Sequence, residues 1–302
     1  MPTRATERRS APADTEPPEA SEPPASPYAF FHPRVVRVRR LSPSLVRVVL
    51  HCPELSGLVS GGGDQRFKLF LPRPGQTVPV LPETTDDQWY ARWRAMDPRV
   101  RGVMRTYTVS GARPDEAELD VDFALHGDLG PASRWAQAAR PGDRVSVLAP
   151  VATDNGGVDF RPPAGTDWML LTGDETALPA LASILAGLPA GTRVKALIEV
   201  AHPEDRLPLP TTADAEVTWL VRDPAAPDRT AGVLAALAAT PFPAGTPYAW
   251  LAGEAACVRA QRRHLTGERG MPRGAITFSG YWRLGRTEDQ LLDEAAAAAA
   301  GS

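Results

Sequence analysis

The chain has 302 residues, of which 43% are apolar, and a formal charge of −3 with a pI near 6.0. This length and composition allow two domains with separate cores, and the slightly acidic balance gives no general attraction for nucleic acid. The two cysteines, Cys52 and Cys257, are too few for a disulfide framework and lack the spacing of a zinc site.

The N-terminal region is predicted to be a disordered tail. Residues 1–27 are mostly Pro, Glu, Ala and Ser, with little to bury. They lack the basic-then-apolar order of a signal peptide, and the sequence has no run of 18 apolar residues. We therefore expect a cytoplasmic protein that does not insert into membranes.

Residues 28–150 have the pattern of an antiparallel β domain. The segment RVVRVRRLSPSLVRVVLHC alternates apolar and polar residues around a turn at Ser42-Pro43, which predicts a half-buried hairpin. Further short strands are predicted at 66–72, 104–109, 118–126 and 143–150. Short strands at regular spacing indicate a small barrel or sandwich. The stretch 83–101 fits neither period and is interpreted as an inserted loop or short helix.

Residues 151–290 alternate strands with helices. A buried strand at 167–173 ends in a glycine, and an amphipathic helix follows it. Further elements are predicted as strands at 193–200, 216–223, 248–254 and 274–282, and as a helix near 229–239. This alternation indicates a parallel sheet covered by helices. The alanine-rich residues 291–302 are interpreted as a low-complexity tail. Their composition is compatible with a frayed helix, and we assign them no role.

Two segments of the β domain combine a cation, an aromatic ring and an anion site. Arg105 and Tyr107 are two residues apart on a predicted strand and therefore share a face. Downstream, LHGDLGPASRWAQAARPGD places a glycine loop before a helix start at Pro131 and Ser133, where backbone N–H groups bind anions. A well-capped helix would explain this second segment by itself. Together, the two segments fit the diphosphate and flat ring of a flavin dinucleotide.

A third segment, LLTGDETALPALASIL at 170–185, follows the first parallel strand, where nucleotide folds bind their ligands. It lacks the G-x-G-x-x-G fingerprint. Asp174 and Glu175 would be unfavourable beside a phosphate, so Thr176 and Pro179 are interpreted as the floor beneath a nicotinamide. Two acids at a helix start also stabilise its dipole by roughly 0.3–1 kcal/mol each, so a purely structural role is an open alternative.

The order RTYTV, HGDLGPASRWA, GDETALPA, WLAGEAACVRAQRRHL and SGYWRLG resembles the siderophore-interacting protein family of flavin-dependent ferric-siderophore reductases, over residues 30–286. The resemblance implies a ferredoxin-reductase-like fold: an antiparallel flavin-binding β-barrel over 28–150, then an α/β domain over 151–290 that binds nicotinamide nucleotide. It also implies FAD as cofactor, NADPH or NADH as electron donor, and a ferric siderophore as substrate. We expect a monomer without a metal site of its own.

The resemblance further implies roles for matching residues. Arg105 would pair with the FAD phosphate, Tyr107 would pack on the isoalloxazine, and Thr108 would hydrogen-bond near its redox-active edge. Tyr281 and Arg283 would close the site from the C-terminal side. The implied cofactor-binding residues are Arg105, Thr106, Tyr107, Thr108, His126, Gly127, Gly130, Ala132, Ser133, Asp174, Glu175, Thr176, Ala177, Gly253, Glu254 and Trp282. Core packing of Trp282 and a structural hydrogen bond of His126 are open alternatives.

The implied reaction is an electron relay. NAD(P)H delivers two electrons as hydride and ferric iron accepts one, so a flavin must stand between them, and no catalytic acid–base pair is required or assigned. Reduction would release ferrous iron. Arg206 and Arg222 would attract a 2′-phosphate whereas Glu204 and Asp205 would repel one, which gives a slight preference for NADPH.

Other functions remain open at this point. Arg101 and Arg283 are candidate docking groups for an anionic siderophore, and are equally well explained as solvated surface charges. A general NAD(P)H:flavin oxidoreductase with another electron acceptor would share the same motifs. A siderophore-binding protein without turnover is the alternative of a different class.

Overall fold

The computed structural model of the chain describes residues 26–83, 88–125, 130–225 and 228–300, with backbone only for 295–300. The predicted tail over 1–27 lies almost wholly outside these ranges. Among the described helices, none has the length and apolar character needed to cross a membrane.

The first lobe consists of two four-stranded antiparallel sheets. In chain order its elements are β1 (Tyr28–Phe31), β2 (Arg34–Ser42), β3 (Leu45–His51), β4 (Arg66–Leu71), α1 (Trp89–Ala95), β5 (Val103–Thr108), β6 (Gly111–Arg113), β7 (Glu118–Ala124), α2 (Pro131–Ala138) and β8 (Ser146–Pro150). One sheet has the order β1-β8-β4-β5 and the other β2-β3-β7-β6. The predicted hairpin is confirmed as β2 and β3, and the stretch 83–101 contains the short helix α1.

The two sheets close on one another as a barrel. The chain passes from β5 in one sheet to β6 in the other, and Ser110 N donates to Asp120 O at 3.1 Å there. On the opposite side, Val35 N of β2 donates to Asp143 O, just before β8, at 2.8 Å. Alternating apolar side chains of both sheets, such as Val48 and Leu69, are fully buried between them. This closure confirms the predicted barrel.

The second lobe is a five-stranded parallel sheet of order β11-β10-β9-β12-β13. Its elements are β9 (Trp168–Gly173), α3 (Leu178–Gly187), β10 (Arg193–Val200), β11 (Asp214–Val221), α4 (Arg229–Ala239), β12 (Pro247–Glu254), α5 (Ala255–Gly267) and β13 (Ile276–Trp282). The final helix, α6 (Glu288–Ala300), follows β13 in the chain but packs against the barrel. Helix α3 packs on one face, while α4 and α5 pack on the other. The predicted parallel sheet is confirmed, and the order reverses between β9 and β12, so the C-terminal ends of these strands form the expected ligand crevice.

The lobes pack directly against one another. Asp205, which follows β10, is fully buried and accepts hydrogen bonds from Ser42 and Ser44 at the β2–β3 turn. At Gly63 of the barrel, an added Cβ would lie 2.7 Å from the Ile184 Cα of α3. Leu45 of β3 is buried in the core of the second lobe. The relative position of the lobes is therefore fixed by close packing.

Candidate active site

Strand β5 carries the Arg-Thr-Tyr-Thr motif along the edge of its sheet. The edge position leaves part of its backbone without a partner strand. The Arg105 side chain is 8% exposed, and its Nη2 lies 2.9 Å from Asp289 Oδ2 of α6. Thr106 N donates to Glu288 Oε1 at 3.2 Å, and Thr106 Oγ1 lies at the same distance from that oxygen. The first two residues of the motif therefore present cationic and N–H donors that bind carboxylate oxygens.

Tyr107 points into an aromatic column that connects β5 to α2. Its ring centroid lies 4.5 Å from that of Phe123, and Phe123 lies 5.6 Å from Trp135 of α2. Burial raises the pKa of the Tyr107 hydroxyl far above its ordinary value, so the ring is uncharged. The Phe123 ring therefore links Tyr107 of β5 to Trp135 of α2.

Helix α2 begins as the sequence predicts. Gly130 is the N-cap residue in an extended conformation, Pro131 is the first helical residue, and Ala132 and Ser133 are buried. The first-turn N–H groups of such a helix attract anions. His126 and Gly127, two of the predicted site residues, lie outside the described residues.

Thr108 ends β5 at the boundary between the lobes. Its side chain lies beside the hydroxyl of Tyr281, which is on β13 of the second lobe. Burial raises the pKa of Tyr281 far above its ordinary value, and the neighbouring Thr108 side chain opposes that rise only in part. The end of the barrel motif and the end of the parallel sheet therefore meet at Thr108 and Tyr281.

Asp174, after β9, is the centre of a second cluster. Its carboxylate is 6% exposed by residue and accepts from Thr176 N at 2.9 Å, Glu254 N at 2.9 Å and Trp282 Nε1 at 2.8 Å. Burial and the neighbouring Glu175 carboxylate raise the Asp174 pKa, whereas the hydrogen bonds from the Thr176 hydroxyl and Trp282 Nε1 and the nearby Arg229 guanidinium oppose the rise. The acid is thus used to hold the GDET turn, β12 and the end of β13 together.

Gly253 is required by this cluster. Its φ is +137°, and an added Cβ would lie 2.7 Å from Asp174 Oδ2. Glu254, the next residue, accepts from Ala256 N and Cys257 N and so caps α5. Both residues border the crevice at the C-terminal ends of β9 and β12, as predicted, and both have a definite structural role there.

A network of opposite charges lies beside Asp174. Arg222 contacts Glu175 at 2.6 Å and Glu199 at 2.5 Å, while Arg229 of α4 lies 3.2 Å from Glu199. The Arg229 guanidinium also lies over the Trp282 ring, 4.8 Å from its centroid. Because three carboxylates including Asp174 face two guanidiniums, the crevice is not a basic pocket.

Several sequence expectations need correction or completion. Asp205 does not face a nucleotide, because its carboxylate points into the barrel interface. Arg222 is already paired with two carboxylates. Arg101 lies over the Trp93 ring at 4.1 Å and donates to backbone carbonyls, so it is a structural group. Arg283 pairs with Glu294 at 3.0 Å.

The acids of the GDET turn (residues 173–176) do not act as simple helix-dipole partners. Asp174 accepts hydrogen bonds from Thr176 N, Glu254 N and Trp282 Nε1. The N-cap residue of α3 is instead Ala177, which is fully buried. The sequence analysis missed a further group of site residues, because they are joined to the motifs only by the fold. These residues are Lys68, Glu199, Arg229, Glu288 and Asp289.

The donor set at β5 fits a dinucleotide diphosphate. A buried guanidinium and a backbone N–H at Arg105 and Thr106 already bind two carboxylates, which stand in for anionic phosphate oxygens. The Tyr107 ring packs on Phe123, which in turn packs on Trp135 of α2. The residues present therefore suit FAD.

An antiparallel barrel with this anion site, followed by a parallel sheet with its crevice at the strand ends, defines a two-lobed flavin- and nucleotide-binding protein. Family models match both lobes: the siderophore-interacting FAD-binding domain over residues 34–154 and the siderophore-interacting protein domain over 166–285. The chain belongs to the siderophore-interacting protein family.

Similar proteins cover most of the chain. Ferric vibriobactin reductase ViuB of Vibrio cholerae is 32% identical over 86% of this chain and 91% of its own. The NADPH-dependent ferric-chelate reductase of Escherichia coli is 30% identical over 82% and 91%. The crystal structure of a siderophore utilization protein from T. fusca superposes with a TM-score of 0.75, at 38% identity, over 86% of this chain and 95% of that one.

Proposed function

We propose that the protein is an FAD-containing oxidoreductase that reduces ferric siderophores with electrons from NAD(P)H and so releases ferrous iron. We further propose that it works as a monomer in the cytoplasm. The names of the two reductase relatives support this activity. The two lobes, 28–150 and 151–290, are proposed as the FAD-binding and nucleotide-binding units.

One observation carries the proposal: two consecutive residues of β13 connect the two halves of the site. Tyr281 lies beside Thr108, the last residue of β5, and Trp282 Nε1 donates to Asp174, the first acid of the GDET turn, at 2.8 Å. Hydride transfer requires donor and acceptor to be in contact. Neighbouring residues on one strand can touch both motifs only if the motifs lie within a few side-chain lengths.

The chain supplies binding, orientation and the exclusion of water. Arg105 and Thr106 hold the diphosphate, Tyr107 supports the flat ring, and the Thr108 hydroxyl donates near the ring edge. Bound FAD supplies the chemistry, because it exchanges two electrons with NAD(P)H and single electrons with iron. The remaining proposed site residues are His126, Gly127, Gly130, Ala132, Ser133, Asp174, Glu175, Thr176, Ala177, Gly253, Glu254 and Trp282.

NADPH is the proposed donor. The name of the relative from Escherichia coli supports it. Within the second lobe, Arg206 follows β10 and is exposed, whereas Arg222 is paired with Glu175 and Glu199. Arg206 is therefore the more available partner for a 2′-phosphate.

The decisive experiment is an anaerobic spectral titration of the purified, FAD-loaded protein. We expect NADPH to bleach the flavin absorbance and a ferric catecholate or hydroxamate chelate to restore it, with ferrous iron trapped by a colorimetric chelator. Restoration by free flavin but by no ferric chelate would indicate a general flavin reductase. A chain that binds a ferric siderophore yet takes up no FAD would be a binding protein, and the proposed activity would be rejected.

A further inference from the structure

The first turn of α6 occupies the anion site of the barrel motif. Asp289 Oδ2 lies 2.9 Å from Arg105 Nη2, and Glu288 Oε2 lies 3.8 Å from Arg105 Nε. Glu288 Oε1 also takes the backbone N–H of Thr106. The Arg105 guanidinium and the Thr106 N–H are the two donors to which the proposed function assigns the FAD diphosphate. Each is more than 180 residues from its acidic partner in sequence.

The contact is held in place by the rest of the helix. Thr287 and Gln290 form a reciprocal capping pair, with N–H to side-chain distances of 2.9 and 3.2 Å. Leu292 packs against the apolar cluster around Trp93, and Asp293 pairs with Arg94 of α1 at 2.7 Å. Helix α1 therefore contributes a docking surface for α6, and the acidic first turn of α6 contacts β5.

The charges at this site balance while it holds the two carboxylates of α6. Arg105 and Lys68, whose Nζ lies 2.8 Å from Thr106 Oγ1, provide two positive charges. Glu288 and Asp289 provide two negative charges. A diphosphate added to the same donors would bring two further negative charges into a largely buried place, where like charges repel strongly.

We propose that the acidic first turn of α6 competes with the diphosphate of FAD for Arg105 and the Thr106 N–H, so that Glu288 and Asp289 lower the affinity for phosphate-bearing flavins and leave the site when FAD binds. This inference depends on the proposed function, since it presupposes a flavin site at β5. It gives the C-terminal segment a regulatory role: α6 sets how readily the protein is loaded with cofactor.

The test compares flavin affinities of the full-length, flavin-free chain. The double variant Glu288→Gln/Asp289→Asn removes both charges and keeps the side-chain size. Asp115→Asn/Glu116→Gln, at an exposed turn of the barrel, changes the net charge equally and is the matched control. Dissociation constants are measured by fluorescence for FAD and for riboflavin, which has no phosphate.

We expect the α6 variant to bind FAD roughly tenfold more tightly, with riboflavin affinity changed by less than about twofold. The control should match the wild type for both flavins. Unchanged or weaker FAD binding in the α6 variant would overturn the inference, and so would equal tightening for riboflavin. A wild-type chain that binds neither flavin would instead reject the proposed function together with this inference.

A second measurement needs no variant. Hydrogen exchange of the amides in residues 288–294 should become faster when the wild-type chain is saturated with FAD, because the first turn leaves β5. Slower or unchanged exchange would mean that α6 stays in place with FAD bound, which contradicts displacement.

Discussion

Replacing Asp205 by alanine should strongly destabilise the protein and loosen its lobes. The carboxylate is fully buried and accepts four hydrogen bonds, from Ser42 Oγ at 2.6 Å, Ser44 N at 2.9 Å, Ser44 Oγ at 2.7 Å and His202 N at 3.0 Å. Burial would raise the Asp205 pKa, but these hydrogen bonds outweigh burial and lower it. The acid is therefore charged at neutral pH and joins the barrel to the parallel sheet.

The size of the effect follows from which donors lose their acceptor. The two serine hydroxyls can rotate toward other groups, but the N–H groups of Ser44 and His202 cannot. An unsatisfied buried donor costs about 1–3 kcal/mol. We expect Asp205→Ala to lower the free energy of unfolding by about 3–5 kcal/mol, and Asp205→Asn, which keeps one carbonyl acceptor, by about 1–3 kcal/mol.

Urea unfolding followed by tryptophan fluorescence measures the stability, and stopped-flow bleaching of bound FAD by NADPH measures the effect on the site. Glu204→Ala is the matched control, because Glu204 is the exposed neighbour and its loss should change stability by less than about 0.5 kcal/mol. An Asp205→Ala protein within about 1 kcal/mol of the wild type would refute a large contribution of these hydrogen bonds to stability.

Three further changes test individual contacts. Tyr281→Phe removes the hydroxyl beside Thr108 of the barrel motif, so flavin reduction by NADPH should slow in stopped-flow traces while the melting temperature changes little; an unchanged rate would contradict a role for this hydroxyl. Gly253→Ala adds a Cβ 2.7 Å from Asp174 Oδ2 at a φ of +137°, and should cost about 1–3 kcal/mol in thermal unfolding. Gly232→Ala, in an open position of α4, is its control and should not destabilise. The hydrogen bond from Arg37 lowers the Glu118 pKa from 4.5 to about 2. The ionised Glu118 carboxylate therefore contributes fully to folding stability above pH 4.5, and this contribution is lost as the pH falls toward 2. The melting-temperature gap between wild type and Glu118→Gln should shrink over that range, and a constant gap would argue against this linkage.

The architecture could be predicted from the sequence because apolar residues recur in most elements with the period of a strand or a helix. Strand alternation gave the β2–β3 hairpin, and the change to strand–helix alternation after Pro150 gave the parallel sheet. Helix α5 was not predicted, although its buried residues, Cys257, Val258, Gln261, His264 and Leu265, are spaced along one face of a helix. Arginines and other polar residues occupy many of the remaining positions of α5, which weakens its apolar pattern. The helix starts at a cap formed by the Glu254 side chain, and the sequence analysis had assigned Glu254 only to the binding site.

The site was predictable only in part. Motifs on single elements, such as Arg105 with Tyr107 or the GDET turn, can be recognised because local spacing fixes which face a side chain takes. Pairings such as Arg105 with Asp289 join residues 184 positions apart, and no local pattern indicates them. The alanine-rich end of the chain has no pattern that indicates a role. The proposed role of α6 depends on Glu288, Asp289 and Leu292, whose partners lie on the barrel.

The burial of Leu45 has a consequence for exchanging parts between related proteins. This barrel residue completes the core beneath α3, and Gly63 allows the barrel chain to approach the backbone of the same helix. An α/β lobe expressed by itself would lack Leu45 in its core, and a barrel expressed by itself would expose that leucine to water. Chimeras that join the barrel of one relative to the α/β lobe of another near residue 150 should therefore aggregate. Taking segments 41–45 and 60–64 from the same relative as the α/β lobe should prevent this.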